Sequence, residues 1–267
     1  MELSTSRYND KTKFVSIAKR VLKTEGNAII NLADSIDEKA FAKACELILD
    51  CKGRVIITGM GKSGHIGQKL AASLTSTGIA SHFLHPAEGF HGDLGVVHRK
   101  DVLLALSFSG ETKEIIELLT PVKYIGVPVI SITSHTDSTL AVQSDVSILL
   151  GQAKEADSHN LVPTTSTTVT LAVGDALIVA LMEAREFTPQ DFAVFHPKGM
   201  LGKRLTLQVK SLFEGNQNFN PVVKENDTFA NALKVITTHT LGGTSVVDNN
   251  NKLVGIITDG DIRRIIE

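Results

Sequence analysis

RVIITGMGKSGHIGQKL, residues 54–70, decides the fold. Val55, Ile56 and Ile57 run without a polar interruption into Thr58, the pattern of a strand buried on both faces. The run ends in a glycine loop, Gly59-Met60-Gly61-Lys62-Ser63-Gly64, and a helix is expected over Ile66–Leu74. Strand, glycine loop and helix open a βαβ unit.

The alternation repeats downstream. ASHFLH (80–85), DVLLALSFSG (101–110), PVISIT (128–133) and DVSILLG (145–151) read as strands, with helices opening at Glu114–Leu119 and Ser138–Gln143. Apolar strands alternating with helices predict an α/β fold, a doubly wound five-stranded parallel sheet. Residues 166–184 (STTVTLAVGDALIVALMEA) are nearly all apolar, but Asp175, Gly174 and the hydroxyl residues at the start predict a buried helix, not a membrane span. Upstream, residues 11–50 read as two helices: Val15, Ala18 and Leu22, then Phe41, Cys45 and Ile48, recur at helical spacing. Downstream, Pro189, Pro197 and Gly199 mark 185–206 as a connecting region. A smaller α+β unit then reads VKSLF, a helix at Thr228–Thr237, a hairpin of TSVVD (244–248) and LVGIIT (253–258) through DNNNK, and a helix from Asp259. The expected domains are 1–206 and 207–267.

Composition narrows the partners. The chain has 267 residues, 42% hydrophobic and 21% charged, with a net charge of −2. A near-neutral balance gives no electrostatic pull toward nucleic acid or an anionic membrane, and the absence of Trp argues against a stacking surface for single strands. Cys45 and Cys51 read as reduced packing thiols. The polar N-terminus (MELSTSRYNDKTKF) lacks the apolar core of a signal peptide, so a cytoplasmic location is expected.

Three polar loops fall at the carboxyl ends of the strands, where open α/β sheets bind ligands. In Gly59–Gly64 the glycines admit close backbone approach and the following helix offers unpaired N–H groups to an anion. The spacing GxGxxG also fits a dinucleotide, but no acidic residue follows at the distance that would hold a ribose, and Lys62 suits a phosphate monoester. Ser107-Phe108-Ser109-Gly110-Glu111-Thr112 carries more hydroxyls than one helix cap needs. Thr164–Thr168 heads the long apolar helix. Around them lie titratable groups: His85, Glu88 and His91 in HPAEGFH, Glu155 after the fifth strand, and His196 in FHPKG. His85 and His91 lack the spacing of a helical zinc motif; a loosely held metal at His85 stays open.

TGMGKSG, SFSGET and PTTSTT with HPAEGFHGDLG resemble the sugar isomerase (SIS) domain family over residues 11–206, and TSVVDNNNKLVGIITDGDIRR resembles a CBS domain. KEAD before LVPTTSTT, and DFAVFHPKGMLGKRL, are similar to the branch of that family that interconverts D-ribulose 5-phosphate and D-arabinose 5-phosphate. The resemblance implies an aldose–ketose isomerase feeding 3-deoxy-D-manno-octulosonate for lipopolysaccharide. It implies no required cofactor, inhibitory zinc at His85, and a homotetramer whose active sites share residues between subunits. It places functionally critical residues at Lys62, Glu114, Glu155 and His196. Substrate contacts are expected at Gly61, Ser63, Gly78, His91, Ser107, Ser109, Gly110, Thr112, Thr167 and Thr168. A nucleotide or sugar-nucleotide is the expected ligand of the CBS unit, which is single here where the family carries a pair.

Exchange through an enediol needs a base and an acid near C1 and C2 and stabilisation of oxyanion charge. Glu155 is the candidate base and His196 the candidate for ring opening or relay, with the two roles exchangeable. Lys62 polarises the carbonyl and Glu114 orients the site. The rival readings are an isomerase of another sugar phosphate, a dinucleotide-dependent dehydrogenase, and a non-catalytic sensor. The sensor reading meets only about 53 residues before the first strand, with no basic recognition helix.

Overall fold

A computed structural model describes residues 11–196 and 220–266. The chain divides into two compact units, Met1–Gly202 and Lys203–Glu267. In the first, helices α1 (Lys11–Ser35) and α2 (Glu38–Leu49) precede β1 (Val55–Gly59), α3 (Gly61–Ser76) and β2 (Ser81–Phe83). A short α4 (Pro86–Gly89) and a 3₁₀ turn (Asp93–Val96) lead to β3 (Val102–Leu106) and α5 (Lys113–Ile125). Then follow β4 (Val129–Thr133), α6 (Thr139–Gln143), β5 (Val146–Leu149), α7 (Thr165–Ala184) and α8 (Pro189–Phe195).

The sheet is five-stranded, wholly parallel, and ordered β2-β1-β3-β4-β5. Every residue of β1, β3 and β4 is buried, as expected of strands covered on both faces. Alternate residues feed two cores. Val55, Ile57, Leu104, Ile130 and Ile148 pack with α1, α2, α3 and α7; Ile56, Leu103, Ala105 and Val129 pack with α5 and α6. The edge strand β5 buries only every second residue fully.

α7 is apolar and long enough to cross a bilayer by length and composition. Here it packs on α1, α2 and α3. A Cβ on Gly174 would stand 2.5 Å from the Leu70 side chain, so the glycine sets how closely α7 and α3 approach. Lys69 and Asp175 form an ion pair beside that contact.

The second unit is a three-stranded sheet of β6 (Val222–Lys224), β7 (Gly243–Val247) and β8 (Leu253–Thr258), with helices α9 (Phe229–His239) and α10 (Asp259–Ile266). The β7–β8 hairpin stands as expected. Its turn is closed by the Asp248 carboxylate, which accepts from the N–H groups of Asn250 and Lys252.

The elements α4, the 3₁₀ turn, α8 and β6 are not among those expected from the sequence. Strand β6 pairs parallel with β7, ahead of the expected helix. Within the expected connecting region stands α8, held by a capping box: the Thr188 hydroxyl accepts from Asp191 N–H, and the Asp191 carboxylate accepts from Thr188. Thr-Pro-Gln-Asp is a legible helix start. VKSLF, Pro197, Gly199 and the expected boundary at 206/207 lie outside the described residues.

Candidate active site at the β1–β3 switch point

The strand order places the topological switch between β1 and β3, because the chain leaves β1 toward β2 on one side and enters β4 from β3 on the other. Ligands of doubly wound sheets bind in the crevice that this reversal opens. The two segments leaving these strands are Gly59–Gly64 and Ser107–Thr112.

No extended loop separates β1 from α3: β1 ends at Gly59, Met60 is the N-cap and the helix starts at Gly61. A Cβ on Gly59 would stand 2.8 Å from Ser63 O, and one on Gly64 2.7 Å from Gly59 O. Glycine at both positions is therefore what this tight junction needs, and it explains the GxGxxG spacing without a dinucleotide. No side chain caps the N-terminus of α3, so its first N–H groups face the crevice with Lys62 and Ser63 in that turn.

Ser107–Thr112 is ordered by its own hydroxyls. Ser107 Oγ accepts from Gly110 N–H at 3.1 Å and lies 2.8 Å from Thr112 Oγ1; Ser109 Oγ accepts from Glu111 N–H. Gly110 has φ +70°, with Ser138 and Thr133 packed where a Cβ would go. Thr112 is the N-cap of α5, yet its side chain makes no cap bond, leaving this second helix N-terminus open as well.

The third helix entrance differs. The Glu155 carboxylate accepts from Thr164 N–H at 2.7 Å, from Thr164 Oγ1 at 2.9 Å, from Ser166 N–H at 3.3 Å, and from the Ser166 hydroxyl. Burial disfavours its ionised form, but these bonds outweigh burial and hold the carboxyl below its ordinary value. Glu155 thus caps α7 across the segment 150–164.

A cleft of about 330 Å³ joins the three entrances. Met60, Lys62 and Ser63 line it from β1–α3; Ser107, Phe108, Ser109 and Thr112 from β3–α5; Glu155, Pro163, Ser166, Thr167 and Thr170 from the third side. Gly61 starts α3 beside it with φ +58°, and Glu114 sits half-buried in the first turn of α5, two residues beyond Thr112.

Other expected residues stand elsewhere. Thr168 turns from the cleft and donates to Glu25 of α1. His91 is exposed on the connection after α4 and is not among the cleft-lining residues. Gly78, with φ +78°, follows the C-cap of α3 and precedes β2, at the amino-terminal edge of the sheet, away from the cleft of its own chain. It is a helix stop, the usual place for a left-handed glycine. His196 stands toward that same edge. Its ring stacks on Phe192 at 3.9 Å, the adjacent Phe195 ring packs on Gly78, and Arg185, the C-cap of α7, donates to Thr77 O and Gly78 O. The 20 residues of α7 put about 30 Å between that end and the cleft.

His85 caps α4 with its Nδ1 buried and unpartnered. Among the described residues no group of three or more His, Cys, Asp or Glu is arranged to hold a metal. The residues therefore do not fit a closed zinc site at His85.

The residues missed from the sequence are Ser166 and Thr170, which complete the cleft wall, and Arg20 and Glu25 of α1, which reach the Glu155 segment and the first turn of α7 respectively. Ser166 was legible as part of the hydroxyl run; nothing local marks Arg20.

The SIS domain family matches residues 47–180 and the CBS domain family residues 218–267. An arabinose 5-phosphate isomerase of Pseudomonas aeruginosa is 47% identical over 254 residues, 95% of this chain and 77% of that protein. One from Francisella tularensis is 46% identical over 260 residues, 96% of this chain and 78% of that protein. A solved structure from Escherichia coli CFT073, in complex with arabinose 5-phosphate, matches with a TM-score of 0.68 at 40% identity, covering 70% of this chain and 100% of that one.

Proposed function

The chain belongs to the SIS-domain family of arabinose 5-phosphate isomerases, and on that basis we propose that it interconverts D-ribulose 5-phosphate and D-arabinose 5-phosphate through an enediol, supplying arabinose 5-phosphate for 3-deoxy-D-manno-octulosonate and lipopolysaccharide. One observation carries the reading at this chain's own residues: two helix N-termini without side-chain caps, flanked by Ser63, Ser107, Ser109 and Thr112, open on one cleft. That is a cradle for a phosphate dianion built without net cationic charge. The phosphate, remote from the reacting carbons, supplies binding energy that orients C1 and C2.

From the open ketose a base removes a C1 proton, the electron pair moves toward O2, and O2 takes up a proton to give the enediol. Return of a proton to C2, with loss of the O1 proton, gives the aldose. Lys62, in the first turn of α3, stabilises the charge gathering on oxygen. Glu155 is a poor proton acceptor here, because both its oxygens already hold hydrogen bonds and its carboxyl titrates below the ordinary range. We therefore assign Glu155 to holding the α7 entrance and give the C1–C2 proton to His196. His196 lies toward the far edge of its own sheet, so a neighbouring copy supplies it. A homotetramer with shared sites meets that need, and the exposed Val15, Leu22 and Ile30 of α1 give a neighbouring copy an apolar face to cover. Glu114 orients the cleft from α5.

The reading includes a cytoplasmic enzyme with no required cofactor. The CBS unit takes a nucleotide or sugar-nucleotide, and its exposed Val254 and Ile256 suit pairing with another CBS unit.

The test is turnover of ribulose 5-phosphate against six-carbon sugar phosphates, with and without a chelator. Preference for the five-carbon substrate, undiminished by chelation, supports the assignment. Faster turnover of a six-carbon substrate would sink it. Deuterium from solvent at C2 of the product is expected of an enediol, and its absence points to hydride transfer.

A further inference from the structure

The segment 150–164 contains neither helix nor strand, yet it must hold Glu155 accurately enough to cap α7. Side chains replace the missing secondary structure. The Asp157 carboxylate accepts from the N–H groups of His159, Leu161 and Val162. Asn160, at φ 55°, accepts from Glu155 N–H at 2.7 Å, and Thr164 Oγ1 accepts from Ala156 N–H at 2.9 Å. These bonds shape the segment but do not fix it to the body of the unit.

That attachment comes from the Glu155 cap on α7 and from α1. Arg20 donates to the carbonyl of Ala156 at 2.7 Å, the residue after Glu155, whose own side chain is buried. Five residues further along α1, Glu25 accepts from the hydroxyl of Thr168 at 2.9 Å, in the first turn of α7. The two contacts grip both sides of the Glu155 cap: the peptide that carries the carboxylate and the helix that receives it.

We propose that Arg20 and Glu25 are positioning residues for the isomerase reaction, acting through the Ala156 carbonyl and the Thr168 hydroxyl to hold Glu155, Ser166 and Thr167 in the wall of the cleft. Neither touches the cleft, so they set its shape rather than bind substrate. The proposal rests on the functional reading above for its kinetic consequence but not for its structural one.

Arg20→Met keeps the aliphatic stem and removes the donors. Its kcat for ribulose 5-phosphate is expected to fall about tenfold with KM held within about threefold, because a misplaced wall costs geometry at the reacting carbons more than grip on the phosphate. Arg20→Lys, which keeps a donor, restores most of the rate. Glu25→Gln, which keeps an acceptor for Thr168, stays near wild type, while Glu25→Ala follows Arg20→Met. Amide hydrogen exchange at residues 155–168 is expected to accelerate in Arg20→Met and Glu25→Ala with the sheet unchanged, a readout that needs no substrate. If exchange there stays at the wild-type rate, or if Arg20→Met lowers only the thermal midpoint and leaves kcat and KM untouched, the proposal is overturned. A wild-type protein inert toward ribulose 5-phosphate would instead count against the functional reading, and the exchange measurement would still decide the positioning role.

Discussion

The cleft has two kinds of helix entrance. At α3 and α5 the first N–H groups carry no side-chain cap, and hydroxyls stand around them. At α7 the same groups are already occupied by the Glu155 carboxylate. A helix N-terminus attracts one anion or another. Where the protein provides its own, the end is a structural joint; where it does not, the end is left for the ligand. The contrast separates open from occupied helix entrances within one wall of polar residues that look alike in sequence.

The severest challenge to that contrast is to give α3 what α7 already has. Ser63→Asp places a carboxylate in the first turn of α3. It is expected to raise KM for the sugar phosphate about 100-fold or more by occupying and repelling the phosphate position, while stability changes by no more than about 0.5 kcal/mol in either direction. Steady-state kinetics with a denaturation curve on the same variant checks both halves; an unchanged KM would place the phosphate elsewhere.

The reverse experiment removes the cap at α7. Glu155→Gln loses the charged acceptor of four hydrogen bonds and should destabilise the first unit by about 1–2 kcal/mol, with kcat falling more than KM rises. Retention of near-normal turnover with the stability loss would show a purely structural cap; loss of turnover without loss of stability would return Glu155 to the role of base.

A smaller effect follows from titration. The carboxyl of Glu155 is held below its ordinary 4.5, so the stability it contributes is fully present above that value and is lost as pH falls through the folded-state value. Thermal midpoints followed downward from neutral pH should drop more steeply in the wild type than in Glu155→Gln. Parallel curves would mean that other carboxylates dominate.

The smallest change is a control in the second unit. Thr228 caps α9 with its hydroxyl on Asn231 N–H. Thr228→Ala is expected to cost about 1 kcal/mol in that unit and nothing in turnover. An altered kcat would reveal coupling from the CBS unit to the isomerase.

The period of the apolar residues made the sheet legible. Buried parallel strands such as Val55–Thr58 and Val102–Leu106 have no solvent face to alternate with, so their continuous apolar runs stand out. The cleft was legible through Gly59–Gly64 and Ser107–Thr112, because the backbone requirement and the ligand chemistry fall on adjacent residues. Gly78 is ambiguous for a related reason: a left-handed glycine marks a helix stop as readily as a ligand loop, and local sequence does not say at which end of the sheet it stands. Strand β6 is short and owes its place to a partner more than twenty residues away, a pairing that local pattern does not carry. The Thr188-Pro189-Gln190-Asp191 box is local and readable, since Pro189 stands at the first helical position where proline is tolerated.

Local sequence dictates the doubly wound class, the order of the elements, the hydroxyl and glycine loops, and membership of the sugar-phosphate family, since each is written in short-range periodicity or in a contiguous motif. The packed fold was needed to settle which helix entrance keeps its anion, that Glu155 is spent on α7, that Arg20 and Glu25 reach across from α1, and that His196 stands at the far end of α7 from its own cleft. Those facts join residues separated by up to 143 positions, and a hydrogen bond between such residues depends on the packed geometry rather than on any neighbour in the chain.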